Sequence, residues 1–179
     1  MKATDLLKKP HRTAEAIFQK LLSHGAISAP ALLMELAVDL AAHMEIEQKI
    51  LYPAARAVDR ALVLESYEEH ALAELALKRL LACAISDETF RAKVTALREL
   101  IHHHVEEEEG ELFPKLEKAF DAQRLKALGK EMEEAFAAAK ERGPAEALPR
   151  GNKTTADSAR RRAPSRSPSR SPNGHAANR

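Results

Sequence analysis

The sequence predicts an all-α protein, built as a four-helix bundle with an additional C-terminal helix and a basic tail. Ala and Leu, both strong helix formers, dominate a chain of 179 residues in which 45% are hydrophobic and only 4% are aromatic. Gly and Pro are rare before residue 143. Apolar residues recur at the three- and four-residue spacing that places them on one face of a helix. Four such helices with short connections can bury one apolar stripe each around a common axis.

The first two helices are expected at about residues 4–23 and 30–58. Thr4 or Asp5 can cap the first helix, and the segment 24–30 breaks the pattern before the second. Each apolar stripe includes an ionisable side chain. The stripes are Leu7, His11, Ala14, Phe18 and Leu22 in the first helix, and Leu36, Leu40, His43, Glu47 and Ile50 or Leu51 in the second.

Three further helices are expected at about residues 60–84, 87–120 and 121–141. Ser86 or Asp87 can cap the fourth helix. The fifth is amphipathic and is expected to pack outside the bundle or to extend it, which leaves a homodimer open. The stripes of the third and fourth helices are Val63, Tyr67, His70, Ala73, Leu77 and Leu81, and Val94, Leu97, Ile101, His104, Glu108 and Leu112.

Composition changes at Gly143-Pro144, which divides the chain into a helical domain at 1–142 and a tail at 143–179. Residues 149–179 carry eight Lys and Arg against one acidic residue, whereas the rest of the chain has an excess of acidic residues. Such a segment cannot bury a core and is expected to be disordered. It predicts either weak contact with nucleic acid or an acidic protein, or a solubilising extension with no specific partner.

Several classes of protein are excluded by simple counts. Cys83 is the only cysteine, so neither an intrachain disulfide nor a thiolate zinc cluster can form. No apolar run reaches the length of about 18 residues expected of a membrane-spanning helix. The N-terminal residues lack the apolar core of a signal peptide. We therefore expect a cytoplasmic protein with no membrane contact.

Two of the helices carry the same motif, His-x3-Glu-x4-aromatic-Pro. It reads HMEIEQKILYP over residues 43–53 and HVEEEEGELFP over residues 104–114. The proline that closes each motif is expected to kink or end its helix. The helix before each copy supplies one more histidine, His11 or His70. The chain is thus similar to a duplicated helical hairpin that keeps its ionisable residues in both copies.

This spacing predicts a metal centre. Residues four apart lie one above the other on a helix, so His43 and Glu47 can converge, as can His104 and Glu108. Imidazole and carboxylate together suit iron or manganese and, less selectively, zinc, and two carboxylates can bridge a metal pair. The alternative is a set of ordinary core histidines and exposed ion pairs. Matching inward groups on four helices favour the metal, because burying them unpaired would cost on the order of several kcal/mol.

Other ionisable and aromatic residues are assigned lesser roles. Glu15 and Glu74 lie one turn after two of the histidines and are expected at the rim or around the ligands. Tyr52 and Phe113 are expected to pack near one end of the core and close the site, or to be plain core aromatics. A last group is expected to face solvent or to lie off the inward stripe: Glu45, Glu106, Glu107, Glu109, His102 and His103.

These motifs resemble those of the hemerythrin-like, or HHE cation-binding, family over about residues 5–140. LLKKPHRTAEAIF is similar to its opening histidine motif, AHMEIEQKILYP and HHHVEEEEGELFP to its two His-x3-Glu motifs, and EEHALAEL supplies the remaining histidine. The resemblance implies an up-and-down four-helix bundle with two iron ions (Fe2+/Fe3+) joined by an oxo or carboxylate bridge. Carried over, the metal ligands would be His11, His43, Glu47, His70, His104 and Glu108.

Two departures from the family pattern affect the site. Pro10 precedes His11 where the family usually has Asp, which puts the usual partner of that imidazole in question. Oxygen-carrying hemerythrins use five histidines and only four align here, with Glu74 as a reserve ligand where the fifth is expected. The pattern is closer to the bacterial and regulatory members of the family.

Three functions stay open at this level. The first is a di-iron protein that binds a diatomic ligand, O2 or NO, or senses oxygen, iron or redox state. The second is a di-iron enzyme that turns over peroxide or NO, although the sequence shows no separate acid, base or substrate pocket. The third is a metal-dependent regulatory adaptor that acts through its basic tail.

Overall fold

A computed structural model of the chain describes residues 1–23 and 28–144. These residues are helical and include no strand. The predicted tail at 143–179, apart from Gly143 and Pro144, lies outside the described residues. The helical segments are α1 (Ala3–Ser23), α2 (Ala29–Ile46), π1 (Glu47–Leu51), α3 (Tyr52–Ala55), α4 (Arg60–Leu81), α5 (Phe90–Glu107), π2 (Glu108–Leu112), α6 (Phe113–Ala119) and α7 (Ala122–Arg142).

Four long helices form the bundle. Helix α1 packs on α2 and on α5, and α4 packs on α5 and α2, so that each helix lies beside the helix next to it in the chain. Short connections between these neighbours make the order up-and-down. The predicted fold class is therefore confirmed, including the helix that follows the bundle. No helix in the described part of the chain is both long enough and apolar enough to cross a membrane.

Two π-helical turns interrupt the second and fourth predicted helices, and both precede a proline. The N–H of Tyr52 donates to the carbonyl of Glu47, five residues earlier, and the N–H of Phe113 donates to the carbonyl of Glu108 in the same way. The ring of a proline collides with the carbonyl four residues before it in a regular α-helix, and a widened turn relieves that collision. The sequence predicted a kink or an end at these prolines, but not the extra residue in each turn.

The bundle core consists of two apolar layers with a polar layer between them. One layer holds Phe18, Leu36 and their neighbours from the far halves of the four helices. The other holds Leu7, Tyr52 and Phe113. The six ionisable residues of the predicted centre are all buried and lie between these layers along each helix. The centre is thus enclosed by apolar packing at both ends.

Helix α7 packs outside the bundle, against α1, α2 and π1. The side chain of Asp121 caps it by accepting the N–H of Arg124. At its other end, Lys140 pairs with Asp39 of α2 at 2.5 Å. Gly129 lies against the N-terminal backbone, where a Cβ would come 2.4 Å from the carbonyl oxygen of Met1. Glycine here allows α7 to approach the start of the chain closely.

We therefore expect Gly129→Ala to destabilise the protein, although Ala is the better helix former by about 1 kcal/mol. The added methyl group overpacks a backbone contact, and the free energy of unfolding should fall by about 1–3 kcal/mol. Urea unfolding followed by circular dichroism measures the change. Gly110→Ala in π2 is the matched control, because a Cβ there meets nothing within 4 Å. Equal stability of the two variants would contradict the packing role of Gly129.

Candidate metal centre

The four bundle helices bring all six predicted ligands together. His11 lies on α1, His70 on α4, and the other two histidines in the last turns of α2 and α5. Glu47 and Glu108 are the first residues of π1 and π2. Each of the six residues is at most 5% exposed: His11, His43, Glu47, His70, His104 and Glu108.

The four imidazoles form two pairs. Nε2 of His11 lies 3.0 Å from Nε2 of His43. Nε2 of His70 lies 3.0 Å from Nε2 of His104. Each pair joins two different helices, and the equal distances reflect the duplicated hairpin. The pairs therefore define two equivalent halves of one site.

The two carboxylates lie between these halves. Oε2 of Glu47 is 3.1 Å from Nε2 of His43 and 3.4 Å from Nε2 of His70. Oε2 of Glu108 is 3.5 Å from Nε2 of His11 and 3.7 Å from Nε2 of His104. One oxygen of each glutamate thus touches both histidine pairs, which is the position of a bridging ligand.

These residues fit a pair of cations. Both oxygens of Glu47 and Oε2 of Glu108 are buried without a hydrogen-bond partner in the described part of the chain. Leaving buried polar groups unpaired is costly, and a bound cation removes that cost. Two N or O ligands of one transition-metal ion lie at most about 4.2 Å apart, because each sits about 2.1 Å from the ion. All the distances within the two halves are shorter than this limit.

Side chains outside the six orient the imidazoles through Nδ1. Glu109 accepts from His11 at 2.8 Å and is itself held by Arg12. Glu69 accepts from His104 at 2.7 Å. Such bonds leave the Nε2 lone pair directed at the centre. The expectation that Glu109 faces solvent is wrong, and Glu109 supplies the partner that Pro10 put in question.

The remaining two histidines are held less firmly. The amide of Gln48 lies 3.1 Å from Nδ1 of His70. Nδ1 of His43 has no hydrogen-bond partner among the described residues. Sequence reasoning missed Gln48, Glu69 and Glu109, since each contacts a histidine of another helix and no spacing along one helix predicts such a contact.

Tyr52 and Phe113 occupy equivalent places in the two motifs but differ in chemistry. The hydroxyl of Tyr52 donates to Oε1 of Glu108 at 3.0 Å and lies 3.1 Å from Nε2 of His70. The ring of Phe113 is stacked with that of His11, 6.1 Å away between centroids. One half of the site therefore has a hydroxyl group beside it, while the other has an apolar ring.

Glu15 and Glu74 do not reach the histidine pairs. Glu15 binds Arg98 at 2.7 Å and lines a groove that includes His11. Glu74 lies 3.7 Å from Lys78 and is absent from the clusters of metal-binding groups in the described residues. The fifth ligand position of oxygen-carrying hemerythrins is therefore not filled by Glu74 in this conformation.

The side chains expected to face solvent fall into two groups. Glu106, His102 and His103 are exposed, as predicted. Glu45 and Glu107 are half-buried, as Glu109 is, so the expectation that they face solvent is wrong. Glu45 pairs with Lys49 and with Arg142 of α7, which covers it. The covering arises because α7 packs on the bundle surface, which spacing along the helix does not reveal.

Burial sets the protonation of the metal-free centre. Burial, together with the charge of Glu108, raises the pKa of Glu47 well above its usual value. Burial also opposes the ionisation of Glu108, but His104 and His11 outweigh it and hold the pKa of Glu108 below its usual range. Burial, then repulsion by His104, lowers the pKa of His70 to about 3. The carboxylates thus hold one proton between them, which a cation would displace.

The pKa of His70 predicts how the stability of the metal-free protein depends on pH. Between pH 6.5 and about 3 the unfolded chain binds a proton at this residue that the folded protein does not bind. Stability from this source is complete above pH 6.5 and falls as the pH is lowered. His70→Gln removes this titrating group. We therefore expect the slope of the free energy of unfolding against pH to decrease by up to about 1.4 kcal/mol per pH unit, which corresponds to one proton.

Urea unfolding of metal-free protein at a series of pH values measures this slope. His102→Gln, which removes an exposed imidazole from the same bundle, is the matched control and should leave the slope closer to that of the unaltered chain. Equal slopes for the unaltered chain and His70→Gln would contradict the burial of a neutral His70.

Comparison with known proteins agrees with this geometry. Residues 2–116 match the family model of the hemerythrin HHE cation binding domain. The crystal structure of a hemerythrin HHE cation binding domain-containing protein from Mycobacterium kansasii superposes with a TM-score of 0.72. It is 23% identical and the match covers 79% of this chain and 88% of that one, which establishes a common fold. No curated protein matches the chain. The matched residues extend from before His11 to beyond the second His-x3-Glu motif. The chain therefore belongs to the hemerythrin HHE cation-binding family.

Proposed function

We propose that the protein binds two iron ions and, through them, a small diatomic molecule such as O2 or NO. The observation that carries the proposal is the arrangement of two opposed imidazole pairs with two carboxylates between them. Both oxygens of Glu47 and Oε2 of Glu108 lack a hydrogen-bond partner among the described residues. His11 and His43 would hold one ion, His70 and His104 the other, and Glu47 and Glu108 would bridge them. Membership of a cation-binding family supports the same assignment.

The chemistry of these side chains suits iron or manganese and, less selectively, zinc, because the clusters offer imidazole and carboxylate and no thiolate. Resemblance to the hemerythrin-like family favours iron. When bound, a pair of iron ions would supply an open coordination position and the capacity to change oxidation state.

The size of the adjoining cavity supports a diatomic ligand. A cavity of about 10 Å3 is lined by all four histidines of the centre and by Met44, Ile101 and Val105. This is about the space needed by one water molecule, and its exposed wall is almost entirely apolar. A diatomic molecule is close to this size, whereas a larger substrate would require the helices to separate. Binding or sensing of O2 or NO therefore suits the site better than chemistry on a larger molecule.

A metal analysis of protein purified without added metal tests the proposal. We expect two iron ions per chain and, after the ferrous protein meets air, visible absorption that changes with O2 or NO. Glu47→Gln should retain at most one tightly bound ion, because it removes a bridging charge. Glu15→Gln is the control, since Glu15 binds Arg98 instead of the centre. A colourless iron-loaded protein, or equal iron content in the two variants, would contradict the proposal.

Turnover of peroxide or NO at the same centre is the second candidate, and Tyr52 is the observation that favours it. Its hydroxyl is a buried, neutral proton donor within hydrogen-bonding distance of Glu108 and His70. In the disproportionation of peroxide, one molecule gives up two electrons and two protons as it becomes O2, and these reduce a second molecule to water. A positioned donor accelerates such proton transfer. Tyr52 Oη would hold that proton beside the centre, whereas Phe113 has no counterpart group to offer.

Tyr52→Phe should then lower peroxide turnover by about 100-fold without changing the iron content, because it removes a proton donor and keeps the ring. Peroxide consumption at equal iron loading measures the effect. Tyr67→Phe is the matched control, since the Tyr67 hydroxyl donates to the backbone carbonyl of Gln48 and its ring packs on that of Tyr52. Turnover no faster than that of free iron in the unaltered protein would exclude the enzymatic candidate.

A further inference from the structure

The run HHHVEEEE contains three overlapping His–Glu pairs, and only one of them belongs to the buried centre. His102 lies 3.4 Å from Glu106, His103 lies 3.4 Å from Glu107, and the pair at 104 and 108 points inward. In the other copy of the motif the two positions before the ligand histidine are alanines, at 41 and 42. The two outer pairs are therefore an addition to one half of the repeat, and the centre does not explain them.

The second of these pairs meets a third potential ligand from another helix. Oε1 of Glu69, on α4, lies 3.6 Å from Nε2 of His103, which in turn lies 3.4 Å from Oε1 of Glu107. The three side chains can place one atom each within 4.8 Å of one another. The measured contacts are shorter than the limit of about 4.2 Å for two N or O ligands of one ion.

Burial distinguishes this cluster from a wet charged surface. The imidazole of His103 is 63% exposed, whereas the side chains of Glu69 and Glu107 are only 16% and 24% exposed. Oε2 of Glu107 is buried and has no hydrogen-bond partner in the described part of the chain. A buried carboxylate oxygen without a hydrogen-bond donor is costly, and a bound cation would remove that cost. The two carboxylates of the cluster thus lie on its half-buried side, and the exposed side of the imidazole leaves an opening through which an ion can enter from solvent.

We propose that Glu69, His103 and Glu107 form a third cation site, open to solvent, for a divalent first-row metal ion. One imidazole and two carboxylates suit such an ion, and water can complete its coordination at the exposed side. None of its three side chains is a predicted ligand of the buried centre, and the site does not depend on which metal the centre binds.

Glu69 connects the third site to the centre. Its Oε1 faces His103, while its Oε2 accepts from Nδ1 of His104 at 2.7 Å. An ion at the third site shares the carboxylate that orients a ligand of the centre, and it therefore weakens the hold of Glu69 on His104. Occupation of the third site is coupled in this way to the half of the buried centre that contains His104. The half that contains His43 has no equivalent surface cluster among the described residues.

Titration of the metal-free, full-length protein with Zn2+ by calorimetry tests the third site. His103→Ala should bind one zinc ion fewer than the unaltered chain, or bind that ion at least tenfold more weakly. His102→Ala is the matched control, because its imidazole is similarly exposed and paired at the same distance but belongs to no cluster of three metal-ligating side chains among the described residues. It should leave the number of ions unchanged.

A second pair of variants tests whether the loss of zinc depends on the carboxylate as well as on the imidazole. Glu107→Gln should reproduce the loss seen in His103→Ala, and Glu106→Gln should not. Equal titrations of His103→Ala and His102→Ala would overturn the third site. If the buried centre bound no metal, the result would differ. The unaltered chain would then bind only the ion that depends on His103, and His103→Ala would bind none.

Discussion

Removing four imidazoles and two carboxylates from water in one layer of a helical bundle is the constraint on which the rest of the structure depends. Burying an ionisable group is costly unless it finds a partner, and two oxygens of Glu47 and one of Glu108 find none among the residues that the structure describes. Apolar layers above and below exclude solvent from the site, with Phe18 and Leu36 on one side and Leu7 on the other. Cations bound in this layer would supply the partners that these oxygens lack.

The duplicated hairpin builds the site with near-twofold symmetry, yet its surroundings are unequal. Glu109 holds His11 and Glu69 holds His104, whereas Nδ1 of His43 has no partner within the residues that the structure describes. The aromatic positions differ in the same sense, since only Tyr52 brings a hydroxyl. Two ions held by equivalent histidines and glutamates would therefore differ in the basicity of their histidines and in their distance from a proton donor.

Much of the fold and the ligand set could be predicted from sequence because both rest on local periodicity. The stripes that contain His43 with Glu47 and His104 with Glu108 need only the 3.6-residue repeat, and the structure brings these residues together. What could not be predicted depends on contacts between distant segments. Glu109 was expected in solvent because its own helix turns it away from the stripe, but α1 brings Arg12 and His11 against it. Glu45 is covered by α7 for a similar reason.

The two π-helical turns have a consequence for the mechanics of the bundle. Each inserts one residue between the metal layer and the aromatic layer beneath it, so that an aromatic side chain five positions after a glutamate shares its face. Deleting one residue from either turn would restore uniform α-helical winding and leave the aromatic side chain four positions after the glutamate, which is again on the same face. Each widened turn therefore absorbs its additional residue locally, and the glutamate and the aromatic side chain keep the relative orientation that a regular helix would give them.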